Sequence, residues 1–485
     1  MQVAFSLFAT VDNIVALLIG VVVGTLVGAI PGMTTPMAVA LALPFTFSLG
    51  PVTGILLLLG VYKGGIYGGS ITAILINAPG TPAASCTVLD GYPLAKKGEA
   101  RRALDIALYS SCVADFLSNL SLILFAGALA TFALRFGSQE LFTLIVFSLT
   151  IIAGVSGNQL LKGFGAACLG LVLATIGLDL IYGTNRFVFG QVPLMNGLTF
   201  IPVLIGLFAL PEIINFYWTG ETPKEKSRLA GGGAKWADFR ACLPTILRGS
   251  FIGVILGAIP GIGGAPAAFM SYSEARRASK TPDEFGTGKL EGVAAAESGN
   301  NGTAGATMIP LLALGIPGDI TTAIILGAFM IHGLRPGPLM FQDNISLIYA
   351  LFIGIMLSSL YLLMVGKLSI RLISKVADVP HRILFPIVLV LCIFGAYAIN
   401  NTIFDVGVMF LMGALGFVML KLKIPPAPFL IAFILGPLFE DNFRQALLIS
   451  KGDYSIFFSS GICLFFWGLT LLSISILTWQ QLRRR

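Results

Sequence analysis

The stretch from Phe457 to Trp479 carries no charged residue. A helix of that length can cross a hydrocarbon layer of about 30 Å. Comparable apolar runs lie near residues 12–30, 51–62, 104–134, 139–155, 161–182, 198–216, 245–260, 306–333, 345–366, 384–399 and 403–420. Because these runs are continuous rather than alternating, they indicate membrane helices and not a membrane β-barrel. The sequence therefore predicts an all-α polytopic integral membrane protein with about 10–13 membrane segments.

Composition supports a lipid bilayer as the surrounding medium. Charged residues make up 11% of the chain and hydrophobic residues 56%, against about 25% charged in soluble domains. The surplus of basic residues forms no coherent surface, so we expect no nucleic-acid partner. Six scattered cysteines and two histidines predict neither a disulfide framework nor a metal site, and we expect no cofactor. The N-terminus lacks a basic segment, so the first apolar run is expected to be a retained helix.

An internal duplication divides the chain. GTLVGAIPG at 24–32 matches GVILGAIPG at 253–261 in six positions, and Pro-Gly at 79–80 corresponds to Pro-Gly at 317–318. A long hydrophilic stretch separates the two copies, and duplication of this kind is common in secondary transporters. We therefore predict three regions, which are a first transmembrane repeat at 1–218, a basic cytoplasmic linker at 219–244 and a second transmembrane repeat at 245–485.

The basic residues of corresponding loops suggest that the repeats have opposite orientations. After the first Pro-Gly, only the second repeat has a basic loop, with Arg276, Arg277 and Lys280. After the second Pro-Gly, the bias reverses: the first repeat has Lys96, Lys97, Arg101 and Arg102, whereas the second has Arg335. Short loops rich in Lys and Arg remain in the cytoplasm. Corresponding loops are therefore predicted on opposite sides, as in two inverted-topology repeats.

The Pro-Gly pairs predict broken helices or re-entrant hairpins inside the membrane. Proline and glycine interrupt a helix, and the freed backbone groups need partners or a water-filled cavity. Helix N-termini then attract anions, while carbonyl, Ser, Thr and Asn oxygens suit sodium. The predicted helix breaks are Pro31, Gly32, Pro260 and Gly261. The predicted substrate and ion ligands are Ser70, Asn77, Pro79, Gly80, Thr81, Ser298, Asn300, Asn301, Thr303, Pro317, Gly318, Asp319 and Thr321.

Several of these polar or small residues also have a structural interpretation. Glu297 and Asp319 are ionisable residues in apolar surroundings and hence candidates for function, but both could lie at a wet boundary. Asp105 and Asp115 are interpreted as helix-packing or boundary residues. The spacing of Gly20, Gly24 and Gly28 is typical of close packing between membrane helices.

Four long motifs carry a resemblance to a known family. They are YGGSITAILINAPGTPAASCTVLDGYPLAKKGEARRAL at 67–104, GAIPGIGG at 257–264, ESGNNGTAGATMIPLLALGIPGD at 297–319 and GLRPGPLMF at 333–341. With these motifs the chain resembles the large membrane subunit of the tripartite tricarboxylate transporters, the TctA family. The similarity spans both repeats.

The resemblance implies a multi-pass protein of the bacterial inner membrane with two partners. One partner is a small membrane subunit, and the other is a periplasmic solute-binding protein that delivers a carboxylate. Family members are regarded as secondary transporters of tricarboxylates, dicarboxylates or aromatic acids, driven by an ion gradient, commonly sodium. The two Pro-Gly motifs at 79–80 and 317–318 would form the substrate and ion site. An elevator-like alternating-access movement is expected by analogy.

Other functions are less compatible with the sequence. An intramembrane enzyme of the Ser-His type would need a GxSxG turn, and neither histidine stands near one. No GxxxxGK[ST] motif is present, so ATP is not expected to drive transport through this chain. A channel and a passive membrane scaffold stay open as alternatives.

Overall fold

The computed structural model describes residues 2–30, 32–154, 160–179, 183–219, 232–376 and 381–483. These residues fold almost entirely into α-helices, which confirms the predicted all-α polytopic class. The predicted helix break at Pro31 and residues 220–231 of the predicted linker lie outside the described residues.

The helices follow one another along the chain with short connections. Up to residue 133 they are α1 Gln2–Phe8, α2 Val11–Gly28, α3 Thr35–Ala42, α4 Pro51–Ile76, α5 Ala84–Lys96 and α6 Ala100–Ala133. Then come α7 Ser138–Gly154, α8 Leu160–Ala174, the antiparallel pair β1 Gly177–Leu178 and β2 Asn185–Arg186, α9 Phe200–Phe208 and α10 Leu210–Thr219.

The second series of helices begins inside the predicted linker, because its first helix starts at Trp236 and includes residues 236–244. They are α11 Trp236–Gly257, α12 Gly264–Ala278, α13 Leu290–Ala306, α14 Met308–Leu314, α15 Ile320–Ile331, α16 Met340–Asp343 and α17 Ile345–Val376. The last are α18 His381–Tyr397, α19 Ile403–Lys421, α20 Pro426–Ile449 and α21 Gly461–Arg483. Four 3-10 turns lie at Leu43–Ser48, Val192–Asn196, Pro282–Glu284 and Tyr454–Phe458.

Among the described residues, eight helices are long and apolar enough to cross a membrane. They are Val11–Gly28, Pro51–Ile76, Ala100–Ala133, Phe200–Thr219, Trp236–Gly257, Ile345–Ile370, Ile403–Lys421 and Gly461–Trp479. Shorter apolar helices lie at Thr35–Ser48, Ser138–Gly154, Leu160–Ala174, Ile320–Ile331 and Ile383–Tyr397. The span Gly461–Trp479 has only 11% of its residues buried inside the protein, so most of this apolar helix is left for lipid.

Glycines bring α2 and α4 into backbone contact. A Cβ atom at Gly24 would lie 2.2 Å from the carbonyl oxygen of Val61, and Gly20 and Gly28 meet α4 in the same way. The contact is two-sided, since a Cβ at Gly64 of α4 would lie 2.3 Å from the carbonyl of Val21. These glycines therefore have the packing role that their spacing predicts. Their contact with α2 also stabilises α4 through its glycine-rich segment GGIYGGS, which remains helical.

The second series of helices repeats this contact. Gly253 of α11, which aligns with Gly24, would place a Cβ 2.6 Å from the carbonyl oxygen of Gly299 on α13. Gly302 of α13 packs in turn against the backbone of Ser250 on α11. The duplicated sequence thus corresponds to a duplicated helix pair. The opposite orientation of the two repeats stays a prediction.

Replacing Gly24 by alanine is expected to destabilise the protein by about 1–3 kcal/mol, because the added methyl group overlaps backbone atoms of α4. The matched control is Gly468→Ala in α21, where a Cβ meets no atom within 4 Å and alanine favours the helix. Thermal unfolding of the purified proteins in detergent measures both effects. Equal midpoints for the two variants would contradict the close-packed glycine contact.

The chain divides into two compact units. One contains Met1–Ala128 and Glu212–Gly395, and the other contains Leu129–Pro211 and Ala396–Arg485. The first unit therefore draws helices from both predicted repeats. Within it, α5 packs on α12 and α13, while α15 packs on α3 and α4. Each helix that follows a second Pro-Gly pair thus packs on helices of the other repeat.

Candidate functional site

The first Pro-Gly break follows α4 and folds back on that helix. Asn77 ends α4 in the left-handed conformation, with φ 55°, and its N–H donates to the carbonyl of Thr72. The Gly80 N–H donates to the carbonyl of Gly69 at 3.3 Å. A Cβ at Gly80 would lie 2.5 Å from the carbonyl oxygen of Gly28, so this close approach requires glycine.

The residues of this first break differ in exposure. Asn77 and Pro79 are exposed, whereas Gly80 is buried and Thr81 is partly buried. The Thr81 hydroxyl oxygen accepts a hydrogen bond from the N–H of Ala84 at 3.1 Å, at the start of α5. Thr81, one of the predicted ligands in this segment, therefore stabilises the start of α5.

The second Pro-Gly break separates α14 from α15 and is buried at both Pro317 and Gly318. The carbonyl of Gly318 accepts a hydrogen bond from the N–H of Gly261 at 2.8 Å, which joins the two breaks of the second repeat. Asp319 then caps α15, since its Oδ1 accepts the N–H of Thr322 at 2.7 Å. Thr321 is buried in the first turn of α15.

A tyrosine of the first repeat reaches this second break. The hydroxyl of Tyr62 on α4 donates to Oδ2 of Asp319 at 2.9 Å and lies 3.3 Å from the hydroxyl of Thr307. Tyr62 is 2% exposed. Asp319 is therefore held by its own helix and by α4, and it serves as a cap and an inter-repeat contact.

Asn300 of α13 faces the N-terminus of α12. A Cβ atom added at Gly264, the first residue of α12, would lie 2.4 Å from Oδ1 of Asn300 and 3.4 Å from the hydroxyl oxygen of Thr303. The N-cap residue Gly263 offers no side chain to bond the helix N–H groups. The Nδ2 of Asn300 has no hydrogen-bond partner among the described residues, although the residue is 4% exposed. An uncapped N-terminus beside a buried free amide is suited to a carboxylate.

A second buried polar group lies at the N-terminus of α3, which, unlike that of α12, is capped by the side chain of Thr34. The hydroxyl of Thr35 is buried without a hydrogen-bond partner in the described chain, next to Gly65 of α4. Thr35 lies four residues after Pro31, as Gly264 lies four residues after Pro260. In the first repeat the polar residue is on α3 and faces Gly65 of α4, whereas in the second repeat the glycine is on α12 and faces Asn300 of α13. The sequence-based ligand set omits Thr35. Extending the repeat alignment four residues beyond Pro31 would have indicated it.

Asn301 points away from Asn300, toward α6. Its Nδ2 donates to the hydroxyl of Ser111 at 2.9 Å and to the carbonyl of Glu297 at 3.1 Å. The carboxylate of Glu297 accepts hydrogen bonds from Ser111 and from Thr87 of α5. Glu297 is fully buried within the protein, so the alternative interpretation of this residue as lying at a wet boundary does not match its position. Thr87 and Ser111 were not singled out in the sequence.

Ser298 takes no part in either cluster. Its hydroxyl donates to the carbonyl of Ala295 at 3.3 Å, and it lies against Gly249 of α11. The structure thus separates the predicted ligands of α13 by helix face. Asn300 and Thr303 face α12, Asn301 faces α6, and Ser298 faces α11.

A buried ion pair holds α4, α6 and α17 together. Lys63 Nζ lies 2.7 Å from Oδ1 of Asp115, with side chains 2% and 1% exposed. Lys63 also donates to Oδ1 of Asn119 at 2.6 Å, and Ser359 of α17 donates to Oδ2 of Asp115 at 2.5 Å. Asp115 therefore has the helix-packing role that the sequence interpretation gave it.

Comparison with known proteins identifies a family and two relatives. The model of the Tripartite tricarboxylate transporter TctA family matches residues 14–431. An uncharacterized 52.8 kDa protein in the TAR-I ttuC' 3'region of Agrobacterium vitis is 39% identical over 463 residues, covering 95% of this chain and 92% of the relative. An uncharacterized protein in the TAR-II ttuC' 3'region of the same organism is 38% identical over 233 residues, covering 48% of this chain and 96% of the relative. No solved structure matches.

Proposed function

Because the chain belongs to the tripartite tricarboxylate transporter TctA family, we propose that it imports carboxylates delivered by a periplasmic solute-binding protein. The family makes it a transporter subunit, and its helices make it a multi-pass membrane protein. We place it in the bacterial inner membrane beside the small membrane subunit of the same transporter. The proposed substrates are tricarboxylates, dicarboxylates or aromatic acids. A sodium gradient would drive their import in an elevator-like alternating-access cycle.

The observation that carries this proposal is the buried free amide at an uncapped helix N-terminus. The Asn300 atom nearest the start of α12 is Oδ1, so the side-chain amide would turn its free Nδ2 toward a bound carboxylate. The carboxylate would then accept hydrogen bonds from Nδ2 and from the N–H groups at the start of α12. The positive end of the helix dipole would favour its charge. Asn300 would therefore orient the substrate while α12 supplies the electrostatic attraction.

The N-terminus of α3 supplies a second position for a substrate with two or more carboxylates. Thr35 would donate its free hydroxyl there, as Asn300 donates its amide at α12. The two positions are connected through α15, which packs on α3 and whose N-cap residue Asp319 lies beside Gly263. The proposed site thus uses the breaks of both repeats, which suits transport through inverted repeats.

Uptake into proteoliposomes tests the function directly. Vesicles containing this chain and its small membrane partner would receive labelled citrate, succinate or benzoate, with and without the binding protein. An inward sodium gradient is expected to produce accumulation of at least one of these acids above the external concentration. The control is the same vesicles with sodium equal on both sides.

Each alternative has its own result in this experiment. Equilibration without accumulation would indicate a channel. Uptake that is unchanged in the double variant Asn77→Ala with Asn301→Ala would contradict the predicted ligand set. Accumulation that is indifferent to sodium would contradict sodium coupling while leaving carboxylate transport in place.

A further inference from the structure

Glu297 differs from the other acids with 0% exposure, Asp90 and Asp115, and from acids at helix N-termini such as Asp319, in how its charge is balanced. Asp115 pairs with Lys63, and Asp90 accepts three backbone N–H groups, those of residues 286, 288 and 289. Asp319 caps a helix N-terminus. Glu297 lies in the middle of α13 with 0% exposure, and within the described residues it receives only neutral side-chain donors.

A buried carboxylate without a cationic partner is either neutralised by a bound proton or balanced by a bound cation. Desolvating an ion is costly, and neutral hydroxyl and amide donors offset only part of that cost. In a membrane protein such a group is a candidate for a functional site. The described chain places no Lys or Arg in an ion pair with Glu297, so its position is open to a bound cation, and direct sodium binding distinguishes a cation from a proton.

Hydroxyl oxygens from three helices surround this carboxylate. Thr87 of α5 bonds Oε1, and Ser111 of α6 bonds Oε2 at 3.0 Å. Ser70 of α4 is a third hydroxyl facing this carboxylate; it is fully buried and forms no well-aligned hydrogen bond with any described residue. Ser110 and Ser271 are also buried without a partner in the described chain, and what distinguishes Ser70 is its position beside the Glu297 carboxylate, where its oxygen is available to a ligand.

We propose that Glu297, Thr87, Ser111 and Ser70 bind the sodium ion that couples to transport, an inference that rests on the proposed function. One carboxylate with three neutral oxygens matches the charge and the oxygen preference of a monovalent hard cation. A divalent metal prefers more anionic ligands. In the described part of the chain, no three His, Cys, Asp or Glu side chains are grouped so that they could hold a metal ion together.

This position also links the cation to the substrate. Asn301 contacts the Glu297 cluster, and the adjacent Asn300 faces the proposed carboxylate position at α12. The cation ligands come from α4, α5 and α6 of the first repeat and from α13 of the second. A sodium ion bound there would fix α13 against the first repeat and thereby set the position of Asn300.

Direct sodium binding tests the proposal without a transport assay. The purified chain with its small partner would be titrated with ²²Na⁺ at constant ionic strength, with choline as the replacing cation. Saturable binding is expected for the natural protein, together with a sodium-dependent rise of the thermal midpoint. Glu297→Gln keeps the shape of the side chain and is expected to lose both responses.

Ser70→Ala separates a ligand role from a structural role. Removing an unpartnered buried hydroxyl does not destabilise a folded protein, but removing a ligand is expected to weaken sodium affinity roughly tenfold. The matched control is Ser110→Ala on α6, next to Ser111 and equally buried, whose hydroxyl has no hydrogen-bond partner in the described chain. It is expected to retain natural sodium affinity.

The outcomes distinguish this site from the proposed function. Natural sodium affinity in folded Glu297→Gln or in Ser70→Ala would overturn the site, as would a natural protein that binds no sodium. Sodium-driven carboxylate uptake in the same preparations would leave the transport function standing in that case. Sodium binding that depends on Glu297, in a protein that accumulates no carboxylate, would support the site and contradict the function.

Discussion

Replacing Lys63 by methionine is expected to lower the free energy of unfolding by about 3–5 kcal/mol, because Asp115 would be left as a buried carboxylate without its cation. Methionine keeps most of the apolar length of the side chain, so the loss measures the charge rather than a cavity. Thermal or denaturant unfolding of the purified protein in detergent would show the change. The control is Lys280→Met, at an exposed loop position.

A second substitution tests the cause of that loss. Lys63→Met combined with Asp115→Asn removes both charges and keeps acceptors for Asn119 and Ser359. The double variant is expected to recover more than half of the lost stability, as removal of both partners of a buried pair is better tolerated than removal of one. A double variant no more stable than Lys63→Met would show that the ion pair is not the reason.

Asn300→Ala is expected to raise the carboxylate concentration for half-maximal uptake about tenfold or more, because a hydrogen bond to a charged group is lost. The protein should remain folded, since Nδ2 has no hydrogen-bond partner among the described residues. Uptake into proteoliposomes, run over a range of substrate concentrations, measures the effect. The thermal midpoint without substrate is expected to stay near that of the natural protein.

The control for this prediction is Asn442→Ala. Asn442 is partly buried on α20, and its amide donates to a carbonyl of its own helix, that of Leu438. Its replacement is expected to leave uptake unchanged. If Asn300→Ala has the same concentration dependence as the natural protein, Asn300 does not contact the substrate. The scaffold alternative would gain support from that result.

Much of the framework could be predicted from local sequence. Charge-free runs such as Phe457–Trp479 indicate membrane helices whatever lies around them. The spacing of Gly20, Gly24 and Gly28 indicates one helix face for close packing, and the structure places α4 against it. The extent of α4 was harder to predict. The apolar run ends near residue 62, but α4 continues to Ile76 and its glycines make backbone contact with α2.

The candidate site was only partly accessible from sequence. Asn300 and Asn301 are neighbours in the chain, yet one faces α12 and the other faces α6. Successive residues of a helix differ by about 100° in direction, and the sequence does not state which helices lie on each side. Thr35 and Thr87 were therefore missed, since their relevance depends on partners from distant segments.

By itself the sequence determined the membrane class, the duplication and the positions of the helix breaks. Hydropathy, glycine spacing and proline each act over a few neighbouring residues. Only the tertiary structure decided how each buried charge is balanced. Asp115 meets Lys63 across 52 positions, whereas Glu297 meets Thr87 across 210 positions and finds no cation among the described residues. Charge balance in a low-dielectric interior depends on distance in space, and distant segments come together only when the helices have packed.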